Sequence, residues 1–314
     1  MPENKIYQPH DRLIKYTYYR KESAMRFFQA YLPPALVAVL DWSKLKLRSG
    51  ALIDPSLSDQ HTDVLYEVPF LHQSEMLLLH CLFEHQSSPD SWIGLRLMGY
   101  QRGIWQDERK RNPQRTHMSP IHTLVLYSGR ERWRTPLSWI EKLAMPSSAA
   151  AELVAGQMNF SYQLVDLSQL SADEIRGDVA GRLTLSLMKA AAEDRTLEWL
   201  EQAGPLLRML EQREVVGMFE VLLRYMLAVD TSLTRENLMG TVERLANPEL
   251  TTKAMSLAER LIAQGEARGI IFGKIQSLQE FLGLTQSSEQ ELKALSPEQL
   301  ERLHKELKAR LATR

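Results

Sequence analysis

The segment Glu75-Met-Leu-Leu-Leu-His-Cys-Leu-Phe-Glu84 is an almost continuous apolar run with the length of one β-strand. A strand with apolar residues at successive positions is buried on both faces, which places it in the middle of a sheet. A second β-rich segment, Asp63 to Val68, precedes it and is closed by Pro69. If the two segments pair as a hairpin across the loop between them, Asp63 lies beside Glu84.

Other parts of the chain carry further strand patterns and also helical patterns. Residues 123–127 and 160–165 show two further short strand patterns, whereas residues 11–31 and 92–111 carry apolar residues at helical spacing. After Ser171 helical spacing continues to the C-terminus without a convincing strand. The sequence therefore predicts an α/β half followed by an all-α C-terminal half.

Three regions are predicted along the chain: 1–170 as the α/β core, 171–264 as a helical region packed on it, and 265–314 as a linker and a small helical hairpin. Four glycines between Gly265 and Gly283 indicate the linker. One face of the last helix carries a leucine stripe, formed by Leu300, Leu303, Leu307 and Leu311. This stripe packs either on the chain's own body or on a second copy, and the second alternative predicts a homo-oligomer, with a dimer favoured.

Composition excludes several classes of protein. The chain has 314 residues and one cysteine, Cys81, so an intrachain disulfide and a cysteine-rich zinc site are excluded. Its apolar runs are well short of the roughly 20 residues that span a bilayer, and no secretory signal is visible. The sequence also lacks a His-x-x-x-His pair, a Gly-x-Ser-x-Gly elbow and a glycine-rich phosphate loop. We expect a cytoplasmic protein with no membrane partner.

The formal net charge of −1 is unevenly distributed, because residues 1–150 carry 19 Lys and Arg against 15 Asp and Glu. The imbalance is sharpest between Arg102 and Arg115, where five cations outnumber Asp107 and Glu108. These cations are Arg102, Arg109, Lys110, Arg111 and Arg115. Such a run is either a solvated helix end or a track for the phosphate backbone of a nucleic acid.

Asp63 and Glu84 are the acidic residues that are the clearest candidates for binding a metal ion. Two carboxylates brought together at the end of a buried strand repel each other unless a cation or a proton intervenes. Oxygen ligands of this kind suit Mg²⁺, which binds one or two carboxylates together with water and substrate phosphate. The alternative is that both acids mark the solvated ends of two strands.

Seven short segments occur in a characteristic order along residues 7 to 270. They are His10-Asp-Arg-Leu-Ile-Lys15, Tyr31-Leu-Pro-Pro34, Leu40-Asp-Trp-Ser-Lys-Leu45, Asp63-Val-Leu-Tyr66, Phe83-Glu-His-Gln-Ser-Ser-Pro-Asp90, Arg96-Leu-Met-Gly-Tyr100 and Val125-Leu-Tyr-Ser-Gly129 with Trp133. In these segments the chain resembles the Rpn family of recombination-promoting nucleases, also described as transposase-like proteins. The most specific element is Glu84-His-Gln-Ser-Ser88.

The resemblance implies a PD-(D/E)xK nuclease core, which is a restriction-endonuclease-like fold with a central mixed sheet flanked by helices. Asp63 matches the first acid of that motif and Glu84 the second, while Gln86 stands where the motif usually has lysine. The implied cofactor is Mg²⁺, with Ca²⁺ or Mn²⁺ as alternatives, held by Asp63, Glu84 and the backbone carbonyl of His85. Gln86 would orient the attacking water through hydrogen bonds.

Three further residues are accessory candidates. Lys15 or Arg96 could supply the positive charge that Gln86 lacks. Asp11 could be an additional acid of the site, although capping of the first helix is an equal alternative.

The function implied by this resemblance is a metal-dependent DNA endonuclease with low sequence specificity that promotes recombination or horizontal gene transfer. The alternative is a catalytically weak or inactive DNA-binding protein of a mobile element or defence system. In that case Gln86, in place of lysine, indicates that catalytic activity has been lost. A third possibility is that the helical half dominates the function as an oligomerisation or partner-docking module.

Overall fold

A computed structural model describes residues 9–48, 62–73, 75–84, 89–146, 151–210, 212–230, 232–244 and 248–312. A five-stranded mixed sheet forms the first half of the described chain, with the strands in sequence order across it. The strands are β1 (Lys46–Leu47), β2 (Thr62–Pro69), β3 (Met76–Glu84), β4 (Ile121–Tyr127) and β5 (Gln163–Asp166). The α/β core predicted from the sequence is confirmed.

Strand β3 lies at the centre of this sheet. It pairs antiparallel with β2, where Pro69 is opposite Met76, so the hairpin expected from the sequence is present. On its other side it pairs in parallel with β4, and β4 pairs in parallel with β5. Helices also cover β3 on both faces of the sheet, which explains why nearly every residue of β3 is apolar.

Helices account for most of the remaining described chain, and the predicted all-α C-terminal half is confirmed. Before and between the strands lie α1 (Pro9–Tyr18), α2 (Lys21–Tyr31), α3 (Pro34–Val37), α4 (Ile93–Arg111) and α5 (Ala151–Ala155). After β5 follow α6 (Val179–Ala192), α7 (Thr196–Gln202), α8 (Gly204–Arg208), α9 (Gln212–Val229), α10 (Arg235–Glu243), α11 (Pro248–Phe281), α12 (Glu289–Ala294) and α13 (Pro297–Ala312). The single helix expected over 11–31 is two helices, because the backbone at Arg20 is extended, with φ −78° and ψ 121°.

Each face of the sheet is covered by a different set of helices. Helix α4 covers one face, where Leu82 of β3 packs in one cluster with Ile93 and Leu97. Helices α1 and α2 cover the other face, where Tyr18 stacks on Phe83 with ring centroids 5.2 Å apart. Side chains of β3 therefore alternate between the two layers, as the strand period of two requires.

Residues 10–222 form one compact unit, and the chain from Leu223 onward forms a second. The boundary lies inside α9 and differs from the predicted boundaries at 170 and 264. Helix α6 belongs to the first unit, since Thr184 hydrogen-bonds Thr17 at 2.7 Å between their hydroxyl oxygens. The sheet and the first helices after it thus share one folded body.

Helix α11 differs from the linker expected around the glycines. It runs without interruption from Pro248 to Phe281 through Gly265, Gly269 and Gly273. A Cβ built at any of these three glycines meets nothing within 4 Å, so all three lie on an open side of the helix. Packing of Phe272 and Ile275 against the last two helices outweighs the helix-propensity cost of about 1 kcal/mol for each glycine.

The leucine stripe of α13 packs within the second unit. Leu300 is 0% exposed and Leu307 is 4% exposed, and both belong to a cluster with Phe272 and Ile275 of α11. Leu311, at the end of the stripe, remains 38% exposed. This arrangement favours packing on the chain's own body over the alternative of a second copy. Among the described helices, none is long and apolar enough to cross a membrane.

Candidate active site

The register of β2 and β3 relates the positions of the two predicted acidic ligands. Asp63 is opposite Leu82, so position 84 lies two residues further along β3 and on the same face as position 63. Diagonal neighbours of this kind in an antiparallel pair are about 7–8 Å apart. Carboxylates at that spacing can share one cation. The side chains of Asp63 and Glu84, and residues 85–88 with His85 and Gln86, lie outside the described residues.

The two positions lie at the edge of the sheet where the parallel strands end. Glu84 is opposite Tyr127, the last residue of β4, and Tyr127 is opposite Asp166, the last residue of β5. The face they share is that of Leu82, which α4 covers with its first turns. We call this edge, with the starts of β2 and α4, the carboxyl edge. Ligand sites of open α/β sheets form outside the carboxyl ends of the strands.

Arg96, the first accessory candidate, lies at the carboxyl edge. It belongs to the beginning of α4, its side chain is 13% exposed, and its Nη1 forms an ion pair with Asp90 Oδ2 at 2.9 Å. Asp90 also accepts a hydrogen bond from the backbone N–H of Trp92 at 2.7 Å. Arg96 is thus a half-buried arginine at the start of α4 whose charge is partly offset by Asp90.

Asp11 and Lys15 lie on the other side of the sheet. Both are residues of α1, whose Tyr18 contacts the face of β3 opposite to α4. Lys15 Nζ forms an ion pair with Asp11 Oδ1 at 2.7 Å, one helical turn away. Asp11 is inside the first turn of the helix, so among the described side chains these two candidates contact each other.

The predicted basic run lies at the end of α4 that is remote from the carboxyl edge. Ile93 packs near Leu82, whereas Ile104 packs on Leu78 at the start of β3. From Ile93 to Arg109 the helix rises about 24 Å. Arg102, Arg109 and Lys110 are exposed.

The other two cations of the run are engaged within the protein. Arg111 Nε is 2.8 Å from Asp107 Oδ2. Arg115 Nη1 is 3.1 Å from Glu108 Oε1, and its Nη2 donates to Ser119 Oγ at 2.8 Å. Arg111 therefore stabilises the last turns of α4, and Arg115 joins α4 to the loop that follows it.

A buried ion network ties this remote end together. Arg48, whose side chain is 8% exposed, lies 3.6 Å from Glu67, 3.2 Å from Asp107 and 3.7 Å from Glu108. Glu108 also accepts a hydrogen bond from the backbone N–H of Ser119 at 3.0 Å. Because one arginine joins β2 to α4, we assign this network a structural role.

A second group of cations, which the sequence reasoning did not single out, follows β4 at the carboxyl edge. Arg130, Arg132 and Arg134 are exposed, and they alternate with Glu131 and Trp133. Trp133 is 8% exposed, and its ring packs edge-on against Tyr127, with centroids 5.0 Å apart. The signal that could have found this loop is the alternation of arginines directly after a predicted strand end.

Hydrogen bonds hold this arginine loop, residues 129–135, in place. The backbone N–H of Trp133 donates to Asp166 at 3.3 Å, and Thr135 Oγ1 donates to the carbonyl of Asp90 at 3.2 Å. Burial raises the pKa of Tyr162 to about 12, so its hydroxyl stays protonated and donates to the carbonyl of Pro136 at 2.9 Å. The exposed arginines thus project from a fixed backbone.

Among the residues whose side chains are described, no group of three or more His, Cys, Asp and Glu could hold a metal ion. The donor set at positions 63 and 84 consists of two carboxylates on one face of one hairpin. That set fits Mg²⁺, which needs few protein ligands and keeps several waters.

Comparison with known proteins places the chain among bacterial relatives. The recombination-promoting nuclease RpnA of Escherichia coli K12 is 28% identical over 297 residues, which is 92% of this chain and 97% of the relative. RpnC of the same strain, also a recombination-promoting nuclease, is 32% identical over 169 residues, 53% of each chain. RpnE, named an inactive recombination-promoting nuclease-like protein, is 24% identical over 309 residues, which is 88% of this chain and 97% of the relative.

No solved structure matches the chain significantly. The family model described as "Putative transposase, YhgA-like" matches residues 8–216, which include the whole sheet and helices α6 to α8. The chain belongs to this YhgA-like transposase family.

Proposed function

We propose that the protein is a DNA endonuclease that promotes recombination and that the carboxyl edge is its catalytic site. The observation that carries the proposal is the register of β2 and β3, which sets positions 63 and 84 on one face at the ends of the parallel strands. The relatives named as recombination-promoting nucleases supply the reaction class, because one of them aligns with 92% of this chain.

In this proposal Asp63, Glu84 and the backbone carbonyl of His85 would hold Mg²⁺. When bound, the ion would acidify a water molecule and offset the negative charge that develops on the phosphate. Gln86 would accept a hydrogen bond from the attacking water and so orient it toward phosphorus. Its neutral amide donates and accepts hydrogen bonds but adds no charge, so we expect slower hydrolysis than with lysine.

Low sequence specificity follows from the kind of contact we propose. Arg102, Arg109 and Lys110 are exposed cations on α4 that suit the phosphate backbone. Phosphate contacts fix the position of DNA but carry no sequence information. Binding should therefore weaken as salt rises, through release of counterions.

A plasmid-nicking assay tests the proposal. Wild-type protein with Mg²⁺ should convert supercoiled plasmid to the nicked form, and Asp63→Asn should reduce the rate at least about 100-fold, because the carboxylate ligand is lost. Glu75→Gln is the matched control, since Glu75 is exposed at the opposite end of the same hairpin. Chelation with EDTA should stop the reaction, and Mn²⁺ and Ca²⁺ test the choice of metal. Nicking by Asp63→Asn at the control rate would contradict the proposal.

A second candidate function is DNA binding without efficient cleavage. In this case the protein acts on DNA by assembling into an oligomer. It is favoured by Gln86 at the usual lysine position and by RpnE, a relative named inactive that aligns over 97% of its length. Plasmid that stays intact with every added metal but is retarded on a gel would support it. Light scattering would then have to give at least a dimeric mass.

A further inference from the structure

A cavity of about 200 Å³ opens beside the carboxyl ends of β4 and β5. Three cations, Arg130, Arg132 and Lys189, line it, together with the hydroxyl-bearing Ser128 and Ser168 and one carboxylate, Glu193. The formal charge of this lining is +2. The Ser168 hydroxyl donates to Asp166 Oδ1 at 2.7 Å, so the cations supply the contacts for a ligand. A small concave site with excess positive charge selects a compact anion.

The cavity lies next to the proposed catalytic site. Ser128 directly follows Tyr127, which is opposite Glu84, and Ser168 lies two residues after Asp166, the last residue of β5. Neighbouring strands are about 4.8 Å apart, so the ends of β4 and β5 lie about 5 and 10 Å from the end of β3. An anion at the strand-end side of the cavity would therefore lie at the same edge of the sheet as the bond that we propose is cut.

Two of the three cations are held in place by the protein. Lys189 Nζ donates to the carbonyl of Leu167 at 3.1 Å and lies 3.2 Å from Glu193. Arg130 Nε donates to the carbonyl of Ala192 at 2.9 Å, and the same guanidinium pairs with Asp194. These contacts fix the rim of the cavity and neutralise part of its charge.

Arg132 is the cation best placed to contact a ligand. It is exposed and lines the cavity, and no carboxylate in the described part of the chain pairs with it. Its neighbour Trp133 is packed against Tyr127 and Tyr162, so the backbone beside Arg132 is fixed. A guanidinium on a fixed backbone can donate two parallel hydrogen bonds to a phosphate.

We propose that this cavity binds a phosphate group of the DNA substrate and positions the strand at the carboxyl edge. The proposal takes DNA as the ligand from the proposed function but does not depend on cleavage. The phosphate is either an internal diester near the cut or a 5′-terminal monoester, since both offer the same oxygens to Arg132.

Fluorescence anisotropy of labelled duplex DNA in EDTA tests the proposal without catalysis. Arg132→Gln should weaken binding about three- to tenfold and lower the slope of log Kd against log salt by about 0.9, the value of one phosphate contact. Arg132→Lys keeps the charge and should keep the slope. Arg26→Gln is the control, because Arg26 is an exposed arginine of α2 that does not line the cavity and pairs with Glu22 in its own helix.

A scan with single methylphosphonates, which remove the charge of one phosphate, locates the contact. One position should weaken binding to wild type but cause no further loss in Arg132→Gln, as a double-mutant cycle requires for directly interacting groups. If that position is found in a closed minicircle, the ligand is an internal diester. If the effect of Arg132 requires a 5′-phosphorylated end, the ligand is the terminal monoester.

The cavity proposal fails if Arg132→Gln and Arg26→Gln change affinity and slope equally, or if every methylphosphonate effect is additive with Arg132→Gln. Wild-type protein that binds DNA through Arg132 but never nicks plasmid would support the cavity and contradict the proposed nuclease. Nicking with no contribution from Arg132 would support the nuclease and contradict the cavity.

Discussion

The two ends of the sheet both carry many charges, but they use them differently. At the remote end Arg48, Arg111 and Arg115 each face a carboxylate of β2 or α4 within 4 Å. At the carboxyl edge Arg132 projects from a fixed loop with no carboxylate partner in the described chain. The comparison shows that the density of cations along the sequence does not by itself tell which of them are available to a ligand, since at each end some are paired with carboxylates and some are exposed.

The largest expected effect concerns activity at the carboxyl edge. Glu84→Gln removes one proposed carboxylate ligand, so nicking should fall at least about 100-fold while DNA affinity in EDTA stays within about twofold. The matched change at the remote end is Glu67→Gln, on the same face of the sheet. It should lower the midpoint of thermal unfolding but not the nicking rate of folded protein. A loss of nicking in Glu67→Gln with normal nicking by Glu84→Gln would contradict the different roles that we assign to the two ends.

The next effect concerns stability at the remote end. Arg48→Met removes the buried cation shared by Glu67, Asp107 and Glu108, and Glu108, which is 4% exposed, keeps Arg115 as its cation. Breaking a buried pair from one side costs about 3–5 kcal/mol in the free energy of unfolding, which urea denaturation measures. Lys46→Met is the control, because Lys46 is 76% exposed and its pair with Glu67 should contribute at most about 1 kcal/mol. Equal losses for the two variants would refute a structural role for the network.

A gain of activity is expected when a cation is added at the carboxyl edge. Gln86→Lys restores the lysine of the PD-(D/E)xK motif, and we expect nicking to accelerate about tenfold through activation of the attacking water. Gln73→Lys places the same change at the exposed turn of the hairpin, at the remote end, and should leave the rate unchanged. No gain from Gln86→Lys would show that the amide is already suited to this site.

The smallest effects distinguish the exposed Arg109 from Arg115, which bonds within the protein, near the end of α4. Arg109→Gln should weaken DNA binding only about two- to threefold and leave thermal stability unchanged, because Arg109 is exposed. Arg115→Gln should lower the thermal midpoint instead, since Arg115 joins Glu108 to Ser119. Anisotropy and thermal unfolding of both variants distinguish these roles, and loss of DNA affinity by Arg115→Gln alone would reverse our assignment.

Local sequence patterns were enough to predict much of the fold. The apolar run of β3 predicts a central strand, and the hairpin with β2 follows from the β-rich segment and the short loop before it. The same patterns failed at α11, because three glycines lower helix propensity while long-range packing of Phe272 and Ile275 maintains the helix. Local propensity does not contain contacts between distant segments.

Part of the candidate site, too, could be predicted from the sequence, and part could not. Asp63 and Glu84 could be proposed from the sequence because strand register relates them over a short loop. The cavity beside the arginine loop could not, since it depends on the parallel pairing of β4 with β5 and on Lys189 of α6. The run from Arg102 to Arg115 was visible in the sequence, but its pairing with Asp107 and Glu108 was not.

Metal-directed cleavage of the polypeptide tests the central claim most directly, because it does not require nuclease activity. Fe²⁺ bound in place of Mg²⁺ reduces added hydrogen peroxide to hydroxide and hydroxyl radicals, which cut the chain close to the ion, and ascorbate returns the Fe³⁺ to Fe²⁺. We predict cuts beside residues 63 and 84 that disappear in Asp63→Asn and persist in Glu75→Gln. Cuts confined to the remote end, or cuts that do not depend on Asp63, would contradict the assignment of the carboxyl edge as the metal site.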